Sequence, residues 1–118
     1  MSKIYIASHS QQDGLKIARK LQELGHTISS TWLYKKFEPT SSYSDSDKVY
    51  IAKQDAHEIL ISDGLVVLST YDSVPGGKFV EVGIALGSNK DVYLYGYREN
   101  MLMWHPNIKQ INSLAEVL

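Results

Sequence analysis

The hydrophobic positions of this chain change period from block to block. Ile4–Ala7 is a short apolar run that ends in Ser8, His9 and Ser10. It predicts a buried strand leading into a polar loop. Leu15, Ile17, Ala18, Leu21 and Leu24 then recur at three- and four-residue steps, which places most of them on one helical face. Asp13 is the expected N-cap of that helix and Gly25 its C′ stop. Residues 27–33, rich in β-branched and aromatic side chains, predict a second strand ending at Trp32 and Tyr34. Residues 38–47 (EPTSSYSDSD) have no periodicity and predict a surface loop, either a lid over a site or a passive connection.

The helical period returns with Val49, Ala52, Ala56, Ile59 and Leu60, with Asp47 near the start. After Gly64, Leu65–Leu68 is a continuous apolar run, the pattern of a strand covered on both faces. A loop over 69–77 (STYDSVPGG), a third helix over 78–87 and a fourth strand over 91–95 follow. A turn over 98–104, a short edge strand over 108–111 and a terminal helical turn over 113–118 complete the chain. Strands alternate with helices throughout, which predicts a single α/β domain over residues 1–118 with a doubly wound parallel sheet. Right-handed crossovers make 2-1-3-4-5, the flavodoxin-like order, the natural arrangement of five strands. A ligand crevice is then expected where the order reverses, beyond the ends of strands 1 and 3. Those ends are residues 7–10 and 69–77.

Composition narrows the partners. The 118 residues carry 12 basic and 13 acidic side chains, a net charge of −1, so a long nucleic-acid polymer is not an expected ligand. A small anion remains possible, because helix N-termini and loop amides supply local positive potential. The absence of cysteine removes disulfides, thiolate metal sites and thiol nucleophiles. His26, His57 and His105 lack metal-ligand spacing, so neither a metal nor a cofactor is expected. The first residues resemble neither a signal peptide nor a membrane span, and a soluble cytoplasmic protein without a membrane partner is expected.

Residues 75–87 (PGGKFVEVGIALG) carry the most chemical information. Gly76 and Gly77 permit close approach of a ligand to the backbone ahead of a helix. Glu81 is expected in the first turn, where the helix favours a charged carboxylate. Such an anion suits a nucleophile or a cation stabiliser. Equally, Glu81 could be an ordinary first-turn charge, with Gly83 and Gly87 letting the helix pack closely on the sheet. The segment lacks the Gly-Lys-Ser/Thr ending of a phosphate-binding loop and the spacing of a dinucleotide fingerprint. Asp55 lies beside the apolar stripe of the second helix. At a dry crevice edge it would hold its proton longer and could donate it; on a solvated face it would be an ordinary helix charge. Trp32 could stack on a ligand or close the sheet edge.

Four stretches, in this order, resemble the nucleoside 2-deoxyribosyltransferase superfamily, which includes deoxynucleoside 5′-monophosphate N-glycosidases. They are KIYIA at 3–7, QDAHEILISDGLVVL at 54–68, the Gly-Gly-x-x-x-Glu-x-Gly start of the third helix, and YLYGYRENMLMWHPNI at 93–108. The resemblance spans nearly the whole chain. It implies that Glu81 is the catalytic nucleophile and that Asp55, 26 residues earlier, handles the proton of the base. It further implies that Tyr5 approaches the nucleophile. Asn100 matches an asparagine lent by a neighbouring subunit, which implies a homodimer or larger homo-oligomer. The transferases carry an aspartate two residues before the glycine matching Gly77; here Pro75 stands there and Asp72 lies further back. This departure could favour a 5′-phosphate over a free 5′-hydroxyl, with Ser8, Ser10, the loop amides and Gly77 receiving it and His9 and Lys78 adding charge.

The implied activity is cleavage or transfer of the N-glycosidic bond of a 2′-deoxynucleoside or its 5′-monophosphate, a small-molecule substrate. Two alternatives stand beside it. One is a nucleotide-binding module without turnover, suggested by the altered loop at Asp72 and Pro75. The other is an NAD-cleaving enzyme of the Toll/interleukin-receptor-like type.

Overall fold

The computed structural model describes residues 1–70 and 76–118. Its strands β1 (Lys3–Ala7), β2 (Thr27–Ile28), β3 (Gly64–Ser69), β4 (Asp91–Gly96) and β5 (Ile108–Ile111) form an all-parallel sheet in the order β2-β1-β3-β4-β5. Helices α1 (Gln11–Glu23), α2 (Asp45–Leu60) and α3 (Gly77–Gly87) alternate with the strands. The fold is therefore the doubly wound α/β arrangement that the periodicity predicts, with the order reversing between β1 and β3. Short 3-10 turns occupy Thr31–Tyr34, Thr40–Ser42, Met101–Trp104 and Leu114–Glu116.

Alternation along β1 sorts its side chains into two cores. Ile4 and Ile6, with Val66 and Tyr93, face Ile17, Ala18 and Leu21 of α1 and the C-terminal Leu114 and Val117. Tyr5 and Ala7, with Leu65, Val67, Val92 and Leu94, face Ile59 of α2 and Val82 and Ala85 of α3. Each fully buried large aliphatic side chain contributes about 1.5–3 kcal/mol. The same alternation puts Tyr5 under α2 and α3, on the face that carries Asp55 and Glu81.

Several local expectations are corrected. β2 pairs with β1 only at Thr27 and Ile28, and Trp32 and Tyr34 lie on a 3-10 turn, not a strand. Side chains take over the ladder: Ser30 Oγ accepts from the Ile6 amide at 3.1 Å, and Trp32 Nε1 donates to the Ile6 carbonyl at 2.9 Å. With Ile6 satisfied, the chain is free to turn. The N-cap of α1 is Ser10, whose hydroxyl accepts from the Asp13 amide at 3.2 Å; Asp13 lies within the first turn. Ser44 caps α2 in the same way, so that helix begins at Asp45 and takes the last residues of the expected loop. Gly83 and Gly87 do not serve close packing, since a Cβ at either would meet nothing within 4 Å. Gly96 is the constrained glycine: its φ is +126°, and a Cβ there would lie 2.1 Å from the Ser69 carbonyl oxygen. It closes the end of β4 onto the end of β3, beside the switch point.

Candidate active site

Three elements deliver one cluster to the end of the sheet where the strand order reverses. Tyr5 comes from β1 and is fully buried. Its hydroxyl donates a hydrogen bond to Glu81 Oε2 on α3. Asp55, from α2, is close enough that its charge acts on both Tyr5 and Glu81. Asp55 Oδ1 is buried and has no hydrogen-bond partner among the described residues. A buried polar atom without a partner costs about 1–3 kcal/mol, so in a native fold it calls for a partner from outside the chain or a functional role.

Glu81 is the fifth residue of α3, one position past the first turn where it was expected. Burial pushes its carboxyl up to about 7, with the Tyr5 hydroxyl opposing the rise and the Asp55 charge adding to it. The expectation of a fully ionised carboxylate at neutral pH is corrected accordingly: Tyr5 is what favours the anion. Asp55 is pushed up to about 6, chiefly by burial, then by the Glu58 charge, with Lys35 pulling the other way. Burial and the facing carboxylates push the Tyr5 phenol far up, so it acts as a donor, not a base. The Asp55 charge thus links the ionisation of Glu81 to that of its neighbour across the crevice.

The remaining predicted residues fall around this cluster. Ser8 and His9 lie between β1 and α1; Ser8 Oγ donates to the Ser10 carbonyl at 2.7 Å, and His9 is exposed. The Ser10 hydroxyl oxygen is engaged as the α1 cap. Gly14 lets this loop sit close, since a Cβ there would lie 2.5 Å from Leu33 and 2.9 Å from Ser8 Oγ. Trp32 is partly buried and packs against both cores, so edge packing accounts for much of its ring. Gln11 Nε2 holds that turn through the carbonyls of Trp32, Leu33 and Lys35. Gly76 and Gly77 are exposed at the start of α3, with nothing within 4 Å of a Cβ at Gly77. Asp72 and Pro75 lie outside the described residues.

Lys78 is not a free charge for a phosphate. It is buried, with Nζ 2.7 Å from Glu99 Oε2, and the Ser69 hydroxyl donates to the same carboxylate oxygen. This pair ties the start of α3 to the end of β3 and to the segment after β4. Asn100 is exposed; its Oδ1 accepts from the Leu102 amide at 3.0 Å and caps the following turn. Met101, Leu102 and Trp104 beside it are exposed. Among the described residues no three metal-ligating side chains are grouped, and no helix is long and apolar enough to cross a membrane. The depression lined by Leu86, Asn89, Lys90, Asp91 and Asn107 lies at the opposite end of the strands and holds none of the cluster.

Sequence reasoning did not single out Glu58, Ser69 or Glu99. Glu58 could have been found from its spacing, three residues after Asp55 on one helix face. Glu99 offered no local signal, since its partners Lys78 and Ser69 are distant in the chain.

No family model matches the sequence, and no curated protein matches it. Solved structures do. A 2-deoxyribosyltransferase from Bacillus psychrosaccharolyticus is 25% identical with a TM-score of 0.74, over 98% of this chain and 89% of that one. The CMP N-glycosidase BcmB of Clostridium botulinum is 18% identical with a TM-score of 0.63, over 97% of this chain and 92% of that one, and shares the fold. A conserved protein from Enterococcus faecalis V583 is 24% identical with a TM-score of 0.63, over 84% of this chain and 65% of that one. Over nearly its whole length the chain is thus similar to a solved 2-deoxyribosyltransferase and shares the 2-1-3-4-5 parallel fold with an N-glycosidase, a likeness that supports a nucleoside 2-deoxyribosyltransferase-like superfamily.

Proposed function

We propose that this protein cleaves or transfers the N-glycosidic bond of a 2′-deoxynucleoside or its 5′-monophosphate. The observation that carries the proposal is the Tyr5–Glu81 hydrogen bond with Asp55 in electrostatic reach and one Asp55 oxygen unpartnered. The neighbours named for deoxyribosyl transfer and for CMP N-glycoside cleavage support the same bond type.

Breaking this bond develops positive charge on the sugar and negative charge on the departing base. In the proposed step the ionised Glu81 carboxylate attacks C1′ as the C1′–N bond breaks. The bonding pair leaves with the base nitrogen, and Asp55 delivers a proton to the base. The sugar is left as an ester of Glu81. Water or a second base then attacks C1′, the ester bond breaks to restore the Glu81 carboxylate, and the proton lost by the attacker returns to Asp55. Tyr5 orients Glu81 and supports its anion. General acid assistance of this kind is worth about 10²–10⁴-fold. Ser8, His9, Ser10, Gly76 and Gly77 border the crevice where the 5′ end of the sugar would lie, and Trp32 borders the base side. We further propose that Asn100, exposed beside Met101, Leu102 and Trp104, reaches the site of a second copy, so the active unit is at least a dimer; sedimentation at assay concentration reads this directly.

The test is free-base release, followed by chromatography, from a panel of deoxynucleosides and their 5′-monophosphates, with and without an acceptor base. NAD is included. Free base alone marks a hydrolase, and a new nucleoside marks a transferase. Binding without release from any member would favour a sequestering module, and nicotinamide release would favour NAD cleavage.

A further inference from the structure

Helix α3 begins without the device that starts the other two. Ser10 and Ser44 cap α1 and α2 through their hydroxyls, whereas the cap position of α3 is Gly76, which has no side chain to bond with. Gly76 and Gly77 are both exposed, and two glycines in a row leave the backbone free to enter the helix at more than one angle. What holds this start is Lys78, the second residue of α3. Its Nζ lies 2.7 Å from Glu99 Oε2, with the two side chains 2% and 9% exposed, and it also donates to the Leu68 carbonyl at 3.4 Å. The Ser69 hydroxyl donates to the same Glu99 oxygen. One carboxylate therefore grips the last residue of β3 and the second residue of α3, on either side of the connection at the switch point. The segment that carries Glu99 is itself fixed against β3. The Tyr97 amide donates to the Ser69 carbonyl at 3.4 Å, and Gly96 brings the backbone onto that same oxygen.

We propose that Lys78 and Glu99 are positioning residues of the site: the buried pair stands in for the missing cap, fixes the first turn of α3 against the end of β3, and so sets where Glu81 meets Tyr5. This rests on the reading of Glu81 as the group that attacks C1′. Lys78 and Glu81 are three residues apart, so a single turn of helix carries both. That turn is held at two points, by Glu99 at Lys78 and by the β1 tyrosine at Glu81. With the first point released, the helix start is free to shift on its glycines, while Val82 and Ala85 keep the rest of α3 in the core. Stability alone does not account for the pair. Two apolar side chains of similar volume in place of a buried ion pair often leave a fold as stable or more so, because neither ion has to be stripped of water. The better-attested gain from such a pair is a defined geometry. Attack on C1′ is sensitive to that geometry, since misplacing a reacting group by about 1 Å costs up to about 10²-fold in rate.

The test is the double variant Lys78→Met/Glu99→Met, which keeps side chains of similar length and removes both charges together. Its site is read without substrate from the ζ-carbon of Tyr5 in protein made with ¹³C-labelled tyrosine. Tyr5→Phe assigns that resonance among the eight tyrosines. The ζ-carbon reports the hydrogen bond of the hydroxyl, and Tyr5 touches neither member of the pair. The expected result is a denaturant midpoint close to wild type with the Tyr5 resonance moved, because Glu81 has left its place. On the substrate the panel identifies, kcat falls by about 10–100-fold while KM changes by less than about threefold. A folded double variant with an unmoved Tyr5 resonance, or with the kcat of wild type, overturns the proposal and makes the pair a structural tie only. Should the double variant not fold, Glu99→Gln leaves an acceptor for Ser69, weakens the hold on Lys78 and is read in the same way. The resonance needs no substrate. Absence of base release from wild type therefore counts against the proposed activity, while the Tyr5 resonance still decides this inference.

Discussion

Tyr5 meets two demands with one side chain. Its ring is fully buried under α2 and α3, and its hydroxyl donates to Glu81. Tyr5→Phe keeps the packing and removes the donor that favours the Glu81 anion. Hydrogen bonds to charged groups are worth about 1.5–3 kcal/mol, so base release near neutrality should fall by about 10–100-fold. Because the Tyr5 bond lowers the Glu81 pKa, its loss raises that pKa, and the limb of the rate profile set by Glu81 should move to higher pH. An unmoved limb would show that Tyr5 is only packing. Glu81 also makes a statement about stability. Its carboxyl is raised from 4.5 to about 7 by folding, so its contribution to stability is present below pH 4.5 and is lost as pH rises through about 7. Glu81→Gln stays neutral throughout. It should therefore be more stable than wild type at pH 8, by about 1–3 kcal/mol, and the gain should vanish toward pH 4 in denaturant titrations at the two pH values.

Elements differ in how far local sequence determined them. The four-residue apolar runs and the three- and four-residue steps specified which segments became β1, β3, α1 and α2, because burial of one face decides both periods. The end of β2 was hidden because Ser30 and Trp32 satisfy Ile6 across 24 and 26 positions, a contact no window of local pattern contains. Lys78 was misplaced for the same reason: its burial depends on Glu99, beyond β4. Asp13 was the expected cap of α1, but Ser10 takes that place and Asp13 falls in the first turn. Two glycines show how context sets sign. Gly83→Ala places a methyl in open space on an exposed helix interior and should stabilise by about 0.5–1 kcal/mol. Gly96→Ala drives a Cβ into the Ser69 carbonyl at positive φ and should destabilise by about 2 kcal/mol or more. Denaturant midpoints of the two variants, measured together, check both signs.

At the scale of the molecule, the fold explains why these residues meet. Reversal of strand order between β1 and β3 opens a crevice, α2 and α3 flank it on one face, and each lends one carboxyl toward the tyrosine of β1. Burial that destabilises two charges also brings their titration near neutrality, where a proton can move either way. The position of this pair was legible in the sequence. Its electrostatics were not, because Glu81 lies past the first turn from which its charge was inferred and its burial pushes the carboxyl up. The most direct measurement is the rate of free-base release by wild type and Glu81→Ala, side by side, on whichever deoxynucleoside or 5′-monophosphate the panel identifies. The account predicts release by wild type and a loss of at least about 10³-fold in the variant. Release that survives in Glu81→Ala, or no release by wild type from any member of the panel, would contradict it.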